Sequence, residues 1–313
     1  MVLKPASATP MTALAIARCA HEAGLPPGVL NIVTASRSRA IGDELLSNPL
    51  VRKGGFTGST DVGKGLMEQA AKQIKRISFE LGGNAPLIVF DDADFEKALE
   101  GAVAMKFLRV GGQSCICANR IFVQETIADR FIPAFVERTQ ALRVGPGFEP
   151  GMQVGPLINE EARKGMQHFV EDAVSRGAKV LTGGRACTQP PLDRGFFFEP
   201  TVLIDVKDSM PVCVEEIFGP IAPLLTFRTE EEVLQRANET TYGLAAYFYS
   251  RDYARIVRVS EGLEAGLVGV NDGQGYTHEI PFGGFKESGL GREGGRQGIE
   301  EYMEVKSVVV NLG

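Results

Sequence analysis

The sequence predicts an α/β protein with a doubly wound, largely parallel sheet, divided between two domains. Three observations carry this reading. The chain has 313 residues, more than one domain of about 100–200 residues holds. Short apolar runs rich in Val, Ile, Leu and Phe alternate with helical stretches of about 10–15 residues, the pattern of strand–helix–strand units. The 44% hydrophobic and 23% charged content supplies a large core and matches an ordinary globular chain.

Taken in order, Val2-Leu3 reads as the end of a strand. Thr9 is placed to cap a helix over Met11–Glu22, with Pro10 at its first position and Leu14, Ala17 and Ala20 on one side. Gly24 supplies a left-handed stop and Pro26 bars continuation. A strand over Val29–Val33, a helix over Ala40–Ser47, a short strand near Gly55-Phe56 and a helix from Asp61 to Gln73 follow. Arg76–Leu81 and Pro86–Phe90 are strand-like, and Asp94–Leu108 reads as one strong helix. Further strands are expected at Arg120–Gln124, Lys179–Leu181, Leu224–Phe227, Ala245–Tyr249 and Leu267–Asn271. Helices are expected at Ile127–Leu142, Glu160–Ser175, Glu230–Ala237 and Tyr253–Glu261, with a loop around Gly183–Gly195. The run Val305–Leu312 reads as an exposed or partner-paired strand.

Composition excludes several classes. Lys+Arg 33 against Asp+Glu 39 gives a net charge of −6, too evenly mixed for a nucleic-acid or anionic-membrane surface. No apolar run reaches the ~18 residues of a spanning helix. Cys19, Cys115, Cys117, Cys187 and Cys213 are odd in number and irregularly spaced, which points to a reducing, cytoplasmic compartment rather than a disulfide framework. His21, His168 and His278 leave little room for histidine catalysis or a His-rich metal site, and no metal is expected.

The 37 glycines are the one compositional excess, and many fall in four segments. Gly58-Ser59-Thr60-Asp61-Val62-Gly63 lies between a strand and a helix, where free amides and hydroxyls suit a pyrophosphate, or simply cap the helix. In Phe79-Glu80-Leu81-Gly82-Gly83, a carboxylate closes an apolar strand. It is placed to act as a general base of raised pKa, or to sit in an ion pair. In Gly111-Gly112-Gln113-Ser114-Cys115-Ile116-Cys117, a glycine turn presents a thiol near backbone amides that suit an oxyanion; a structural cysteine or a redox pair are the other readings. Glu215-Glu216-Ile217-Phe218-Gly219-Pro220 and the tract Pro281–Gly295 mark close backbone approach at a site or a seam, or plain surface loops.

In this order, with Lys4-Pro5-Ala6 ahead of them, these segments resemble the aldehyde dehydrogenase superfamily from the first residue to the last. The resemblance implies an aldehyde dehydrogenase-like α/β fold. It has a partial Rossmann-type cofactor domain over residues 1–81, a catalytic domain over 82–290, and a return segment over 291–313 that carries an oligomerisation strand. It implies NAD(P)-dependent oxidation of an aldehyde to an acid. Cys115 is the nucleophile, forming a thiohemiacetal and then a thioacyl group, and Glu80 is the base for the thiol or the deacylating water. It places Lys4, Ser7, Gly58, Ser59, Leu81, Glu216 and Phe218 on the cofactor. Relatives favouring NAD often carry Glu where Ser7 stands. A hydroxyl there accepts a 2′-phosphate that a carboxylate repels, so NADP is expected to be tolerated alongside NAD.

Within the family, Cys115-Ile-Cys117-Ala-Asn, Arg143–Phe148 and Gly155–Asn159 are most similar to succinate-semialdehyde dehydrogenases. That subgroup implies Arg109 on the substrate's distal carboxylate, with Tyr276 in the place of a second, serine contact. Val110 and an extra residue before Arg109 depart from the subgroup pattern, which leaves other ω-carboxy aldehydes open. A reversible Cys115–Cys117 disulfide that silences the nucleophile is a further expectation. An acylating, coenzyme A-dependent chemistry is disfavoured by Glu80. Family chains carry a longer amino-terminal stretch, including an asparagine oxyanion donor whose loss costs ~10²–10³ in rate. The sequence therefore reads as a fragment or truncated relative, weakly active by itself or a nucleotide-binding remnant, whose full-length form is a homodimer or homotetramer.

Overall fold

The structure is a computed structural model and describes residues 1–273 and 277–313. The chain forms two units: residues 1–56 with 61–77, and residues 57–60 with 78–313.

The first unit opens as a β–α–β repeat. β1 (Val2–Leu3) and β2 (Asn31–Ile32) pair in parallel, Val2 opposite Asn31, across helix α1 (Met11–Glu22). Thr9 does not cap α1. Pro10 itself occupies the cap position with helical dihedrals, and Thr9 is one residue outside, its N–H closing a turn on the Ala6 carbonyl. Gly24 stops the helix at φ +84°, as expected of a glycine at that position. α2 (Ser38–Ser47), β3 (Lys53–Thr57) and α3 (Thr60–Ala71) follow, the last two reaching the unit's boundary.

β4 (Arg76–Glu80) carries the chain into the second unit. There, β5 (Ala85–Val89) leads to α4 (Phe95–Val103), capped by the Asp94 carboxylate. The single helix expected over Asp94–Leu108 changes to a π turn at Ala104–Leu108. β6 (Ala118–Gln124), α5 (Glu125–Gln140), α6 (Glu160–Ser175) and β7 (Lys179–Thr182) come next. β8 (Thr201–Ile204) has no counterpart among the strands expected from sequence, and α7 (Pro211–Val214) is a single turn. β9 (Ile221–Phe227), α8 (Glu230–Asn238), β10 (Ala245–Tyr249), α9 (Tyr253–Gly262) and β11 (Leu267–Val270) complete the main sheet. Its order is β11-β10-β5-β6-β9-β8-β7, parallel throughout except for β7 against β8. β12 (Gly289–Leu290) runs antiparallel to β4, with Gly289 opposite Glu80, and α10 (Gly295–Glu300) follows.

Both faces of this sheet are buried, which is why its strands are continuous apolar runs. Leu87, Val89, Ile121 and Val123 face one core with Phe131 and Phe135 of α5; Ile88, Phe122, Leu225 and Phe248 face the other with Val170 of α6, Val233 of α8 and Val259 of α9.

The observed units differ from the expected boundaries. The turn 57–60 and residues 78–81 belong with the second unit, because the Gly58 N–H donates to the Glu80 carbonyl (3.1 Å) and the Gly82 N–H to the Thr60 hydroxyl (3.3 Å). Residues 291–313 are part of that unit rather than a separate segment. Val305–Leu312 forms no strand within the single chain. Residues 303–313 carry no helix or strand, and Val305, Val309 and Leu312 are exposed, since an isolated strand has no ladder to stabilise it.

Candidate active site

β5, β6 and β9 are parallel neighbours, so the segments leading into them meet at one edge of the sheet. Glu80 stands five residues before Ala85, Cys115 three before Ala118, and Glu216 five before Ile221. The site therefore lies at the amino ends of these strands. The backbones approach closely enough to require glycine at two points. A Cβ on Gly83 would lie 2.0 Å from the Cys115 carbonyl oxygen, and one on Gly112 would lie 2.3 Å from the Gly219 carbonyl oxygen. Glu216 completes the junction, its Oε1 accepting from the Gly83 N–H at 3.0 Å.

This environment holds protons. Glu80 is 4% exposed, and its Oε2 is buried without a hydrogen-bond partner among the described residues. Burial, helped by the charge of Glu293 and opposed by Arg292, pushes its carboxyl up to about 8. Cys115 is half-buried; burial first, then the charges of Glu216 and Glu80, push its thiol up to about 11, while the N–H groups of Cys115 and Ile116 act the other way. Burial likewise raises the Glu216 carboxyl, and the Gly83 N–H offsets part of that rise. The arrangement brings a protonated thiol under the charge of a carboxyl pushed up to about 8, two groups of the types that can serve as nucleophile and general base.

The loop carrying Cys115 is shaped by the π turn before it. The Arg109 N–H bonds to the Ala104 carbonyl five residues back, so the turn holds one residue more than an α turn. Val110, Gly111 and Gly112 then all adopt positive φ (50°, 62° and 81°), which reverses the chain toward Cys115. The partly buried guanidinium of Arg109 makes no hydrogen bond or ion pair among the described residues, although its charge lowers the pKa of both Cys117 and Tyr247. Cys117 points the other way, into the core. It is 3% exposed, its thiol donates to the Met105 carbonyl at 3.1 Å, and burial raises its pKa. All five cysteines are free, and the structure makes Cys117 a packed core residue rather than an accessible resolving thiol.

Of the remaining expected site residues, Leu81 is buried and its N–H donates to the Ser288 carbonyl at 2.9 Å, while Phe218 is exposed at φ +49°. Gly58 and Ser59 form the exposed turn held to Glu80 and Gly82 through its neighbours. Tyr276 lies outside the described residues. His278 is exposed beside Glu279 at 3.2 Å. In the first unit, the Lys4 ammonium donates to the Pro5 carbonyl (2.7 Å) and to the Ser38 hydroxyl (3.1 Å), and Ser7 and Ser38 share a hydroxyl contact at 3.1 Å. Sequence reasoning misses Ser38, which opens α2, and also Ser288 and the buried pair Asn84 and Asn119. The Glu80–Asn84 and Cys115–Asn119 offsets, both of four residues, are the one signal that marks the pair.

The Aldehyde dehydrogenase family model matches residues 1–308. The chain is 53% identical over 312 residues to a succinate-semialdehyde dehydrogenase [NADP(+)] of Escherichia coli (strain K12), covering 100% of this chain and 64% of that protein. It is 52% identical to a glutarate-semialdehyde dehydrogenase of Pseudomonas putida, covering 100% of this chain and 63% of that protein. A crystal structure described as an E. coli NADP dependent enzyme superposes with a TM-score of 0.94 at 53% identity, over 98% of this chain and 62% of that one. The chain thus spans less than two thirds of the length of these relatives.

Proposed function

This chain belongs to the aldehyde dehydrogenase family, and from that premise we propose that it carries the nucleophile and base of an NAD(P)-dependent oxidation of an ω-carboxy semialdehyde, succinate semialdehyde foremost. The observation that carries the reading is the meeting of Cys115, Glu80 and Glu216 at the amino ends of β5, β6 and β9.

The residues present fit the cofactor's chemistry. Lys4 is flanked by the hydroxyls of Ser7 and Ser38, a donor set that suits a phosphorylated ribose, and the exposed turn at Gly58 and Ser59 offers a hydroxyl to phosphate. Leu81, Glu216 and Phe218 would hold the nicotinamide end. Bound there, the cofactor supplies a hydride acceptor. Cys115 adds to the aldehyde carbon as ionised Glu80 takes its thiol proton, and its own N–H and that of Ile116 support the oxyanion. Glu80, having passed that proton to solvent, then takes one from water as the water oxygen adds to the thioacyl carbon; the carbon–sulfur bond breaks, the acid leaves and the Cys115 sulfur regains a proton. Arg109, with no protein partner among the described residues, would hold the distal carboxylate; the names of the two relatives, succinate and glutarate semialdehyde, share that group. Cytoplasmic location and pairing of subunits through the apolar tail at Val305–Leu312 belong to the same proposal, and the free cysteines and the tail's exposure support them.

Nicotinamide absorbance, followed with succinate semialdehyde and NADP or NAD, tests this in the longest chain that contains these residues. Cys115→Ala is expected to remove more than about 10³-fold of the rate, as loss of a nucleophile does. Glu80→Gln is expected to lower it by ~10²–10⁴, the range for a general base. Arg109→Leu should raise KM for the acid-terminated aldehyde and leave an uncharged aldehyde unaffected. Activity retained in Cys115→Ala would refute the assignment, and cofactor binding without turnover in the unaltered chain would favour a binding remnant.

A further inference from the structure

Two carboxamides that the reaction does not use are buried at this junction. Asn84 and Asn119 are each 2% exposed. The Asn84 Nδ2 donates to the Cys213 carbonyl (2.8 Å) and the Val214 carbonyl (3.1 Å). The Asn119 Nδ2 donates to the Glu215 carbonyl and to the Asn84 Oδ1, both at 3.1 Å. Backbone carbonyls only accept, so both Nδ2 groups must face the 213–215 segment, which leaves the Asn84 Oδ1 for Asn119. The Arg120 guanidinium closes the network from behind, its Nη2 donating to the Asn84 carbonyl at 3.1 Å and the Ala237 carbonyl at 2.9 Å.

Each segment that this pair joins carries one reacting or cofactor-facing group. Asn84 follows Glu80 by four residues, Asn119 follows Cys115 by four, and Glu215 adjoins Glu216. We infer that Asn84 and Asn119 form a latch that sets Cys115, Glu80 and Glu216 against one another, acting as positioning residues for the reaction proposed above, on which this inference rests. A carboxamide suits the task because it donates strongly while adding no charge beside two carboxylates and a thiol. Removing Asn84 takes the donor from the Cys213 and Val214 carbonyls, and removing Asn119 takes it from the Glu215 carbonyl and the Asn84 Oδ1; water entering to satisfy them would separate the three segments.

Alkylation of Cys115 by iodoacetamide reads this positioning directly, resolved by peptide mass spectrometry from Cys19 and the other thiols, from about pH 7 to about pH 10 where thiolate fraction sets the rate. The charged groups facing Cys115 are Glu216 and Glu80, with the Cys115 and Ile116 N–H groups opposing them. In the unaltered chain the rate should still climb at the top of the range. Glu80→Gln, which removes an opposing negative charge, should bring the rise to lower pH. Asn84→Ala and the milder Asn119→Ser should do the same by opening the junction, with alkylation about tenfold faster at pH 8, the change expected for one unit in a thiol's titration. Adding Glu80→Gln to either asparagine variant should then have no further effect. Val259→Ala, a core change on α9 far along the chain, should lower the melting midpoint and leave the profile in place. The latch is overturned if Asn84→Ala and Asn119→Ser follow the unaltered profile, if Val259→Ala moves it equally, or if Glu80→Gln keeps its full effect in the asparagine variants. A profile that Glu80→Gln does not move in the unaltered chain would instead refute the Cys115–Glu80 pairing itself.

Discussion

The two units bury their apolar residues very differently. In the second, Leu87, Ile88, Val89, Ile121, Phe122 and Val123 of two neighbouring strands are all 0% exposed, packed on both faces. In the first, α1 buries no residue, and Met11, Leu14 and Ile16 are 73%, 39% and 59% exposed. α2 buries only Leu46, and α3 only Gly63 and Ala70. Helical periodicity and terminal signals are equally clear in both units, so they report where an element forms and not whether its apolar stripe is covered. The difference also explains where the chemistry sits. Desolvation on the scale felt by Glu80 and Cys115 needs the tightly packed unit, with its glycine-to-carbonyl contacts at the strand entries.

The sharpest way to break this comparison is to open a cavity in the packed unit. Phe248 on β10 is 0% exposed and lies among Phe90, Phe122 and Val259. Phe248→Ala should cost about 3–5 kcal/mol, the transfer of a buried ring plus the void it leaves. For a unit of this size that lowers the melting midpoint by roughly 10 °C. Calorimetry checks this; a drop of a degree or two would mean that the core relaxes freely and is not the jigsaw that its burial indicates.

Much of this packed unit is legible in the amino-acid sequence alone. Ala245–Tyr249 and Glu160–Ser175 form with the bounds expected, because an apolar run between breakers and an Asn159-capped amphipathic stretch each carry their own signal. Thr201–Ile204 is not legible in this way. It is only four residues long, and its partners β7 and β9 define it more than its own pattern does. The proposed nucleophile and base stand in readable motifs, since glycine turns next to a thiol and a carboxylate leave a local trace. Asn84, Asn119 and Ser288 are hidden. Their partners are 129, 96 and 206 residues away, and apart from the shared four-residue offset of the two asparagines nothing local marks a carboxamide or a hydroxyl as a bridge between distant segments. The π turn is hidden as well, because Asp94–Leu108 has ordinary helical periodicity and the change of hydrogen bonding reflects where the Cys115 loop must go.

The buried carboxyl offers a second, smaller test of how dry the packed unit is. Glu80 titrates at about 8 when folded, against an ordinary 4.5. Between those values the folded chain keeps a proton that the unfolded chain has released. Stability is therefore lost as pH rises through that window and levels off above it. Glu80→Gln removes this dependence, so urea midpoints of the variant should gain on those of the unaltered chain from about pH 5 to about pH 8 and then run parallel. A difference that stays constant with pH would show that water reaches Glu80, and the contrast between the units would narrow at the very place where the chemistry depends on it.

The smallest expected effect lies in the open unit. Ile16 sits mid-helix on α1, 59% exposed, where the second unit's helices place buried anchors such as Val170 and Val233. Since little apolar surface is withdrawn from water at that position, Ile16→Ala removes almost no burial and exchanges a β-branched residue for the best helix former. The change in stability should stay within about 0.5 kcal/mol, as for surface sites generally. Hydrogen exchange over α1 should be unaltered by the substitution and faster than over β5 and β6, whose backbone bonds lie beneath two layers of side chains. A loss of more than about 2 kcal/mol, in the range of buried Ile truncations, would mean that Ile16 is covered in solution and that the first unit has a packed face of its own.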